Sequence, residues 1–118
     1  MGQILLVDDE PEMLEAWSFA LEYSGFIVER ASDGRDAIAS LQRQTPDLVI
    51  TDLMMPGMNG EELCRAIRSN PDWADLPVIL HSSARVTTAS APGLWDAVIR
   101  KPAQLEVLLH TIETLRRR

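Results

Sequence analysis

Three aspartates, a serine and a lysine stand where short apolar runs stop. Asp8 and Asp9 follow Ile4-Leu5-Leu6-Val7, and Asp52 comes just past Leu48-Val49-Ile50. Ser82 comes just after Val78-Ile79-Leu80, and Lys101 just after Ala97-Val98-Ile99. Each residue alone has a plain structural reading: a helix cap, a turn residue, a loop hydroxyl, a surface lysine. Together they form a chemical set. Carboxylates crowded within a few ångströms repel by on the order of a few kcal/mol per pair at an effective dielectric of about 20. A hard divalent cation relieves this, and Mg²⁺ is commonly held by one or two carboxylates plus a phosphate. A carboxylate can also attack phosphorus to give an aspartyl phosphate. Phosphoryl transfer needs charge neutralised on the transferring oxygens. Asp8 and Asp9 with Mg²⁺ supply one side of that arrangement, Lys101 the other, and Ser82 a hydrogen bond.

These residues meet only if the elements beneath them align. The apolar runs alternate with helical patterns. Pro11 suits the first turn of a helix that carries Met13, Trp17, Ala20 and Leu21 and stops at Gly25. Phe26-Ile27-Val28 reads as a second strand, and Gly34 to Arg43 as a weaker helix. Pro56-Gly57 and Asn59-Gly60 mark a loop before a helix through Leu63, Cys64 and Ile67. Leu105, Leu108, Leu109, Ile112 and Leu115 form the apolar stripe of a last helix. This alternation predicts an α/β fold, with right-handed crossovers and a parallel sheet covered on both faces. In strand order 2-1-3-4-5, the first, third and fourth strands are adjacent. All five polar residues then share the carboxyl rim, where ligands bind in such sheets.

Composition narrows the choice. The 118 residues suit one domain, with 46% hydrophobic and 25% charged residues. A net charge of -7 argues against direct nucleic-acid binding, and Arg116-Arg117-Arg118 reads as a frayed helix end. Acidic residues bunch at Asp8, Asp9, Glu10 and Glu12. The single cysteine, Cys64, permits no intrachain disulfide and reads as a buried thiol. The apolar runs are far short of a membrane span and no signal peptide is visible, so a cytoplasmic protein without membrane contact is expected.

Four blocks carry a family resemblance: Leu6-Val7-Asp8-Asp9-Glu10; Pro46 to Gly60, centred on Asp52; Pro77-Val78-Ile79-Leu80-His81-Ser82; and Lys101-Pro102. The chain resembles the receiver domain of bacterial two-component response regulators over essentially its whole length, as one domain from residue 1 to 118. The resemblance implies a flavodoxin-like, doubly wound, five-stranded parallel sheet. It makes Asp52 the phosphoacceptor and Lys101 the partner of the phosphoryl group. Ser82 becomes the hydroxyl that moves toward the phosphoryl group. Asp9 would bind Mg²⁺ directly, Asp8 mainly through metal-bound water, and Asp52 and the Met54 backbone carbonyl would complete the protein ligands. The implied phosphodonor is a sensor histidine kinase or a histidine phosphotransfer protein. The output partner is an unidentified downstream protein, and a homodimer is compatible with the family. The chain would promote its own phosphorylation and dephosphorylation without turning over a separate substrate.

The chain also departs from the family. Val98 stands where receivers usually carry an aromatic residue, and Ala103 follows Lys101-Pro102 where Phe is frequent. Between Ser82 and Lys101, the β-branched run Val86-Thr87-Thr88 and the pair Pro92-Gly93 predict a short, irregular or mobile fourth helix. Trp17, Trp73 and Trp95 read as packing residues, His110 as solvated, and His81 as lacking a catalytic role. The departures keep open a receiver-like interaction module that works without phosphorylation. An aspartate-nucleophile phosphatase would need an acid where Met54 stands. A dinucleotide enzyme would need a Gly-rich loop after the first strand.

Overall fold

The apolar runs become strands, and their alternation decides which helices cover which face. The computed structural model describes residues 2–83 and 85–116. Strands β1 (Gln3–Val7), β2 (Ile27–Ala31), β3 (Leu48–Thr51), β4 (Val78–Ser82) and β5 (Ala97–Arg100) pair in parallel in the order β2-β1-β3-β4-β5. Helices α1 (Pro11–Tyr23), α2 (Gly34–Arg43), α3 (Gly60–Ser69) and α4 (Leu105–Arg116) connect and cover them. Successive strand residues point to opposite faces. Ile4, Leu6, Ile50, Ile79 and Ile99 pack with Leu21 of α1 and Leu108 and Ile112 of α4. Leu5, Val7, Val49, Val78 and Leu80 pack with Ala37 and Leu41 of α2 and Leu63, Cys64 and Ile67 of α3. Each fully buried Leu or Ile contributes about 1.5–3 kcal/mol of apolar burial. The doubly wound fold expected from the sequence is the one observed.

Several strand boundaries differ from expectation by one to three residues, those of β2 and β4 most. β2 runs on through Glu29 and Arg30 to Ala31, past the apolar residues that suggested it. It is an edge strand, so those charged side chains stay in solvent while the backbone pairs with β1 as far as Val7↔Ala31. β4 likewise extends through His81 and Ser82, so Ser82 is the last residue of the strand and not the first beyond it.

The fourth helix of the family is reduced to one 3₁₀ turn, Thr88–Ser90. Gly93 adopts φ +84°, a left-handed conformation no helix accommodates. Leu94 and Trp95 are instead buried against the β4 side of the core, and the Trp95 Nε1–H donates to the Thr87 carbonyl at 3.0 Å. Arg68, at the end of α3, fastens this segment. Its Nε donates to the carbonyls of Gly93 (3.1 Å) and Leu94 (3.0 Å), and its Nη1 to those of Ala74 (2.9 Å) and Leu76 (2.7 Å). Its Nη2 meets Asp96 Oδ2 at 3.0 Å, and that oxygen also accepts the Val78 N–H at 2.8 Å. The connection is thus irregular yet held by directed bonds.

Trp73 is buried, Trp17 is partly buried and His110 is exposed, as expected. Cys64 is fully buried, and burial pushes its thiol up to about 12, out of reach of thiolate chemistry. Arg116 ends α4, whereas Arg117 and Arg118 lie outside the described residues.

Candidate phosphoryl-transfer site

Backbone pairing that continues past the strand ends fixes the site. The Asp8 N–H donates to the Ala31 carbonyl at 3.1 Å, and the Asp52 N–H to the Val7 carbonyl at 2.9 Å. The Lys101 N–H donates to the Ser82 carbonyl at 2.9 Å. The residue after each strand is therefore held as rigidly as the sheet, and Asp8, Asp52, Ser82 and Lys101 meet at one rim. Asp8, Asp52 and Ser82 are buried.

Lys101 joins the carboxylates. Its Nζ lies 3.1 Å from Asp8 Oδ2, 3.1 Å from Glu10 Oε1 and 3.5 Å from Asp52 Oδ2. Burial works against the charged ammonium, but the hydrogen bonds to Glu10 and Asp8 outweigh it, and its pKa lies above that of an ordinary lysine. Asp52 is shifted the other way in affinity for charge. Burial, aided by the nearby Asp8 carboxylate, raises its pKa against the pull of Lys101 and of the Leu53 and Met54 amides. The Leu53 N–H bonds Asp52 Oδ1 at 2.8 Å, leaving Oδ2 facing Lys101.

Oxygen ligands of Asp8, Asp9, Glu10 and Asp52 all lie within 4.8 Å of one another. This all-carboxylate, hard-oxygen set fits a small divalent cation, and the crowding of negative charge supplies the drive to bind one. Lys101 alone does not neutralise four carboxylates.

Three residues near the site were not legible as participants. Glu10 was visible in an acidic run and at the end of the first family block, without a role; its contact with Lys101 joins residues 91 apart in sequence. Gly60 read as a loop marker, but it is the first residue of α3 and packs directly on the Asp52 carbonyl. A Cβ there would collide with the Asp52 and Leu53 backbone. Its N–H bonds the Leu53 carbonyl at 2.8 Å, and the Asn59–Glu62 capping box starts α3 at this point. His81 faces α1, edge-on to Trp17 with ring centroids 5.5 Å apart, and its buried Nε2 has no hydrogen-bond partner among the described residues. Burial and then the Lys101 charge lower its pKa to about 4.

The family pattern described as the response regulator receiver domain matches residues 4–113, which includes every one of these side chains. The chain belongs to the response regulator receiver domain family. This receiver is 37% identical to the response regulator MprA of Mycolicibacterium vanbaalenii and 38% identical to the probable transcriptional regulatory protein TcrX of Mycobacterium tuberculosis. In each case 98% of the chain aligns, and it spans about half the length of the relative (51% and 50%). Among solved structures, a signal receiver domain of a signal transduction histidine kinase from Syntrophus aciditrophicus superposes with a TM-score of 0.89. Its sequence identity is 35%, covering 98% of this chain and 89% of that one. TrrA from Thermotoga maritima, in complex with Mg²⁺ and BeF, gives a TM-score of 0.87 at 29% identity over 98% and 99% of the two chains. Among the described residues, no helix is long and apolar enough to cross a membrane.

Proposed function

We propose that this receiver is a phosphoacceptor switch in which Asp52 carries the phosphoryl group. The observation behind this reading is the convergence of Asp52 Oδ2 with Lys101 at 3.5 Å and with the carboxylates of Asp8, Asp9 and Glu10. Asp52 Oδ2 is the nucleophile. It forms an O–P bond to a phosphoryl group as the bond to the donor's imidazole nitrogen breaks. Lys101 pairs with an equatorial phosphoryl oxygen, and Ser82 donates its hydroxyl to another. Asp9, Asp52 and the Met54 carbonyl would hold Mg²⁺ directly, and Asp8 mainly through metal-bound water; the ion would supply charge neutralisation for the phosphoryl oxygens. The TrrA structure with Mg²⁺ and BeF supports that choice of ion.

The donor is a sensor histidine kinase or a histidine phosphotransfer protein, and the receiver undergoes no turnover of a separate substrate. The new charge draws Ser82 and Lys101 inward and shifts a pre-existing equilibrium of conformations. Without an aromatic at Val98, that shift leaves through the segment pinned by Trp95 and Arg68, toward a downstream protein. The similarity of this receiver both to a probable transcriptional regulatory protein and to a receiver of a histidine kinase is compatible with a place in either kind of larger protein.

Incubation with Mg²⁺ and acetyl phosphate, followed by intact mass measurement, tests the reading. One phosphoryl group is expected on the wild type and none on Asp52→Asn. An unlabelled wild type, beside a control receiver that labels, would overturn it. A receiver-like module indifferent to phosphorylation predicts equal partner affinity with and without beryllofluoride; a tenfold difference, about 1.4 kcal/mol, excludes it.

A further inference from the structure

Glu10 occupies a position its side chain does not serve. It is the N-cap of α1, where Ser, Thr, Asp or Asn would bond the free amides of the first turn. It makes no such bond. Its backbone N–H is instead held by Asp8 Oδ1 at 2.9 Å, which aims the side chain along the rim. There its carboxylate, largely exposed, meets the nearly buried Lys101 ammonium at 3.1 Å. Asp8 therefore fixes Glu10 with one oxygen and Lys101 with the other.

The geometry points to Glu10 as a positioning residue that holds Lys101 back from Asp52 in the unphosphorylated receiver. Lys101 sits closer to Glu10 and Asp8 than to Asp52, so pairing with a phosphoryl group on Asp52 requires it to give up contacts on the other side. Asp8 is compensated by the bound cation when the site fills. Glu10, at the solvent edge, is compensated by water. Glu10 thus sets part of the free-energy cost of moving the lysine, and through it the stability of the phosphorylated state. This role rests on Lys101 being the phosphoryl-pairing cation.

The test measures beryllofluoride affinity at saturating Mg²⁺ for wild type, Glu10→Gln and Glu12→Gln. Glu12, in the first turn of α1, removes the same charge without a bond to Lys101. Glu10→Gln is expected to bind about two- to fivefold more tightly, the range of a partly exposed ion pair, and Glu12→Gln to match the wild type. In the Mg²⁺-free protein, the ¹⁵N–¹H signal of the Lys101 ammonium should shift on Glu10→Gln. Affinity for Mg²⁺ alone should fall by less than tenfold, because Glu10 lends the ion nearby charge and no bond. Unchanged or weaker beryllofluoride binding in Glu10→Gln overturns the role. So does equal tightening in Glu12→Gln, an unmoved Lys101 signal, or a tenfold loss of Mg²⁺ affinity, which would make Glu10 a ligand. If the wild type binds no beryllofluoride, the phosphoacceptor reading itself fails. Binding that Asp52→Asn abolishes and Glu10→Gln leaves unchanged refutes only the role of Glu10.

Discussion

The Lys101 ammonium sits between two buried carboxylates, 3.1 Å from Asp8 and 3.5 Å from Asp52, and so neutralises part of a site whose negative charge would otherwise oppose folding. Removing a buried cation from its partners typically costs about 3–5 kcal/mol. Lys101→Ala is therefore expected to lower unfolding free energy by roughly that amount in EDTA, measured by urea denaturation. Added Mg²⁺ should restore more stability to the variant than it adds to the wild type. A variant as stable as wild type in EDTA would show that the carboxylates need no cation.

Asp52 carries the opposite sign of strain. Its raised pKa means the folded state favours the protonated carboxyl, so the ionised form destabilises the fold at neutral pH. That penalty is relieved as pH falls through the raised value. Asp52→Asn should be more stable than wild type at pH 7 without Mg²⁺, seen as a higher Tm. The gap should narrow as pH falls through that raised value. Equal thermal unfolding curves at pH 7 would contradict this.

His81 gives a separate pH signature. It is neutral in the folded state down to about pH 4, whereas the unfolded chain takes up the proton near 6.5. Its contribution is fully present above about pH 6.5 and is lost as pH falls from there to about 4, by up to about 3 kcal/mol. His81→Leu should flatten that part of the stability profile in urea unfolding at pH 7.5 and 5. With Nε2 unpartnered in the wild type, the substitution should cost little at pH 7.5. An unchanged slope would place the imidazole in water.

Arg68 donates to four carbonyls and one carboxylate, and those partners span residues 74–96. Arg68→Ala removes the donor from all five, with Asp96 keeping its bond from the Val78 N–H, and should cost about 2–4 kcal/mol. Arg68→Lys should recover less than half of this, since an ammonium has three donors in place of a planar fork. Hydrogen exchange at Leu94 and Asp96 checks where the loss falls. Full recovery with lysine would mean that charge alone matters.

The fold was legible because β1, β3 and β4 are short, apolar and end in chemistry-bearing residues. Even the absence of a regular fourth helix showed in Val86-Thr87-Thr88 and Pro92-Gly93, which deny a helix its propensity. β2 was drawn short because its apolar residues stop at Val28, and the charged Glu29 and Arg30 fit a strand only once its edge position is known. At the site, Asp8, Asp52, Ser82 and Lys101 each announce themselves by following or ending a strand. Arg68, Glu10 and Gly60 do not. The first two act through contacts with segments far along the chain, and Gly60 through a close approach to Asp52 that no local pattern records.

The central claim is that one carboxyl, that of Asp52, accepts the phosphoryl group. Labelling with acetyl phosphate and Mg²⁺, reduction of the acyl phosphate with borohydride, and peptide sequencing by mass spectrometry locate the modified residue. Homoserine at position 52 and at no other carboxylate is the predicted result. Homoserine at Asp8 or Asp9, or a labelled protein with Asp52 intact, would contradict it.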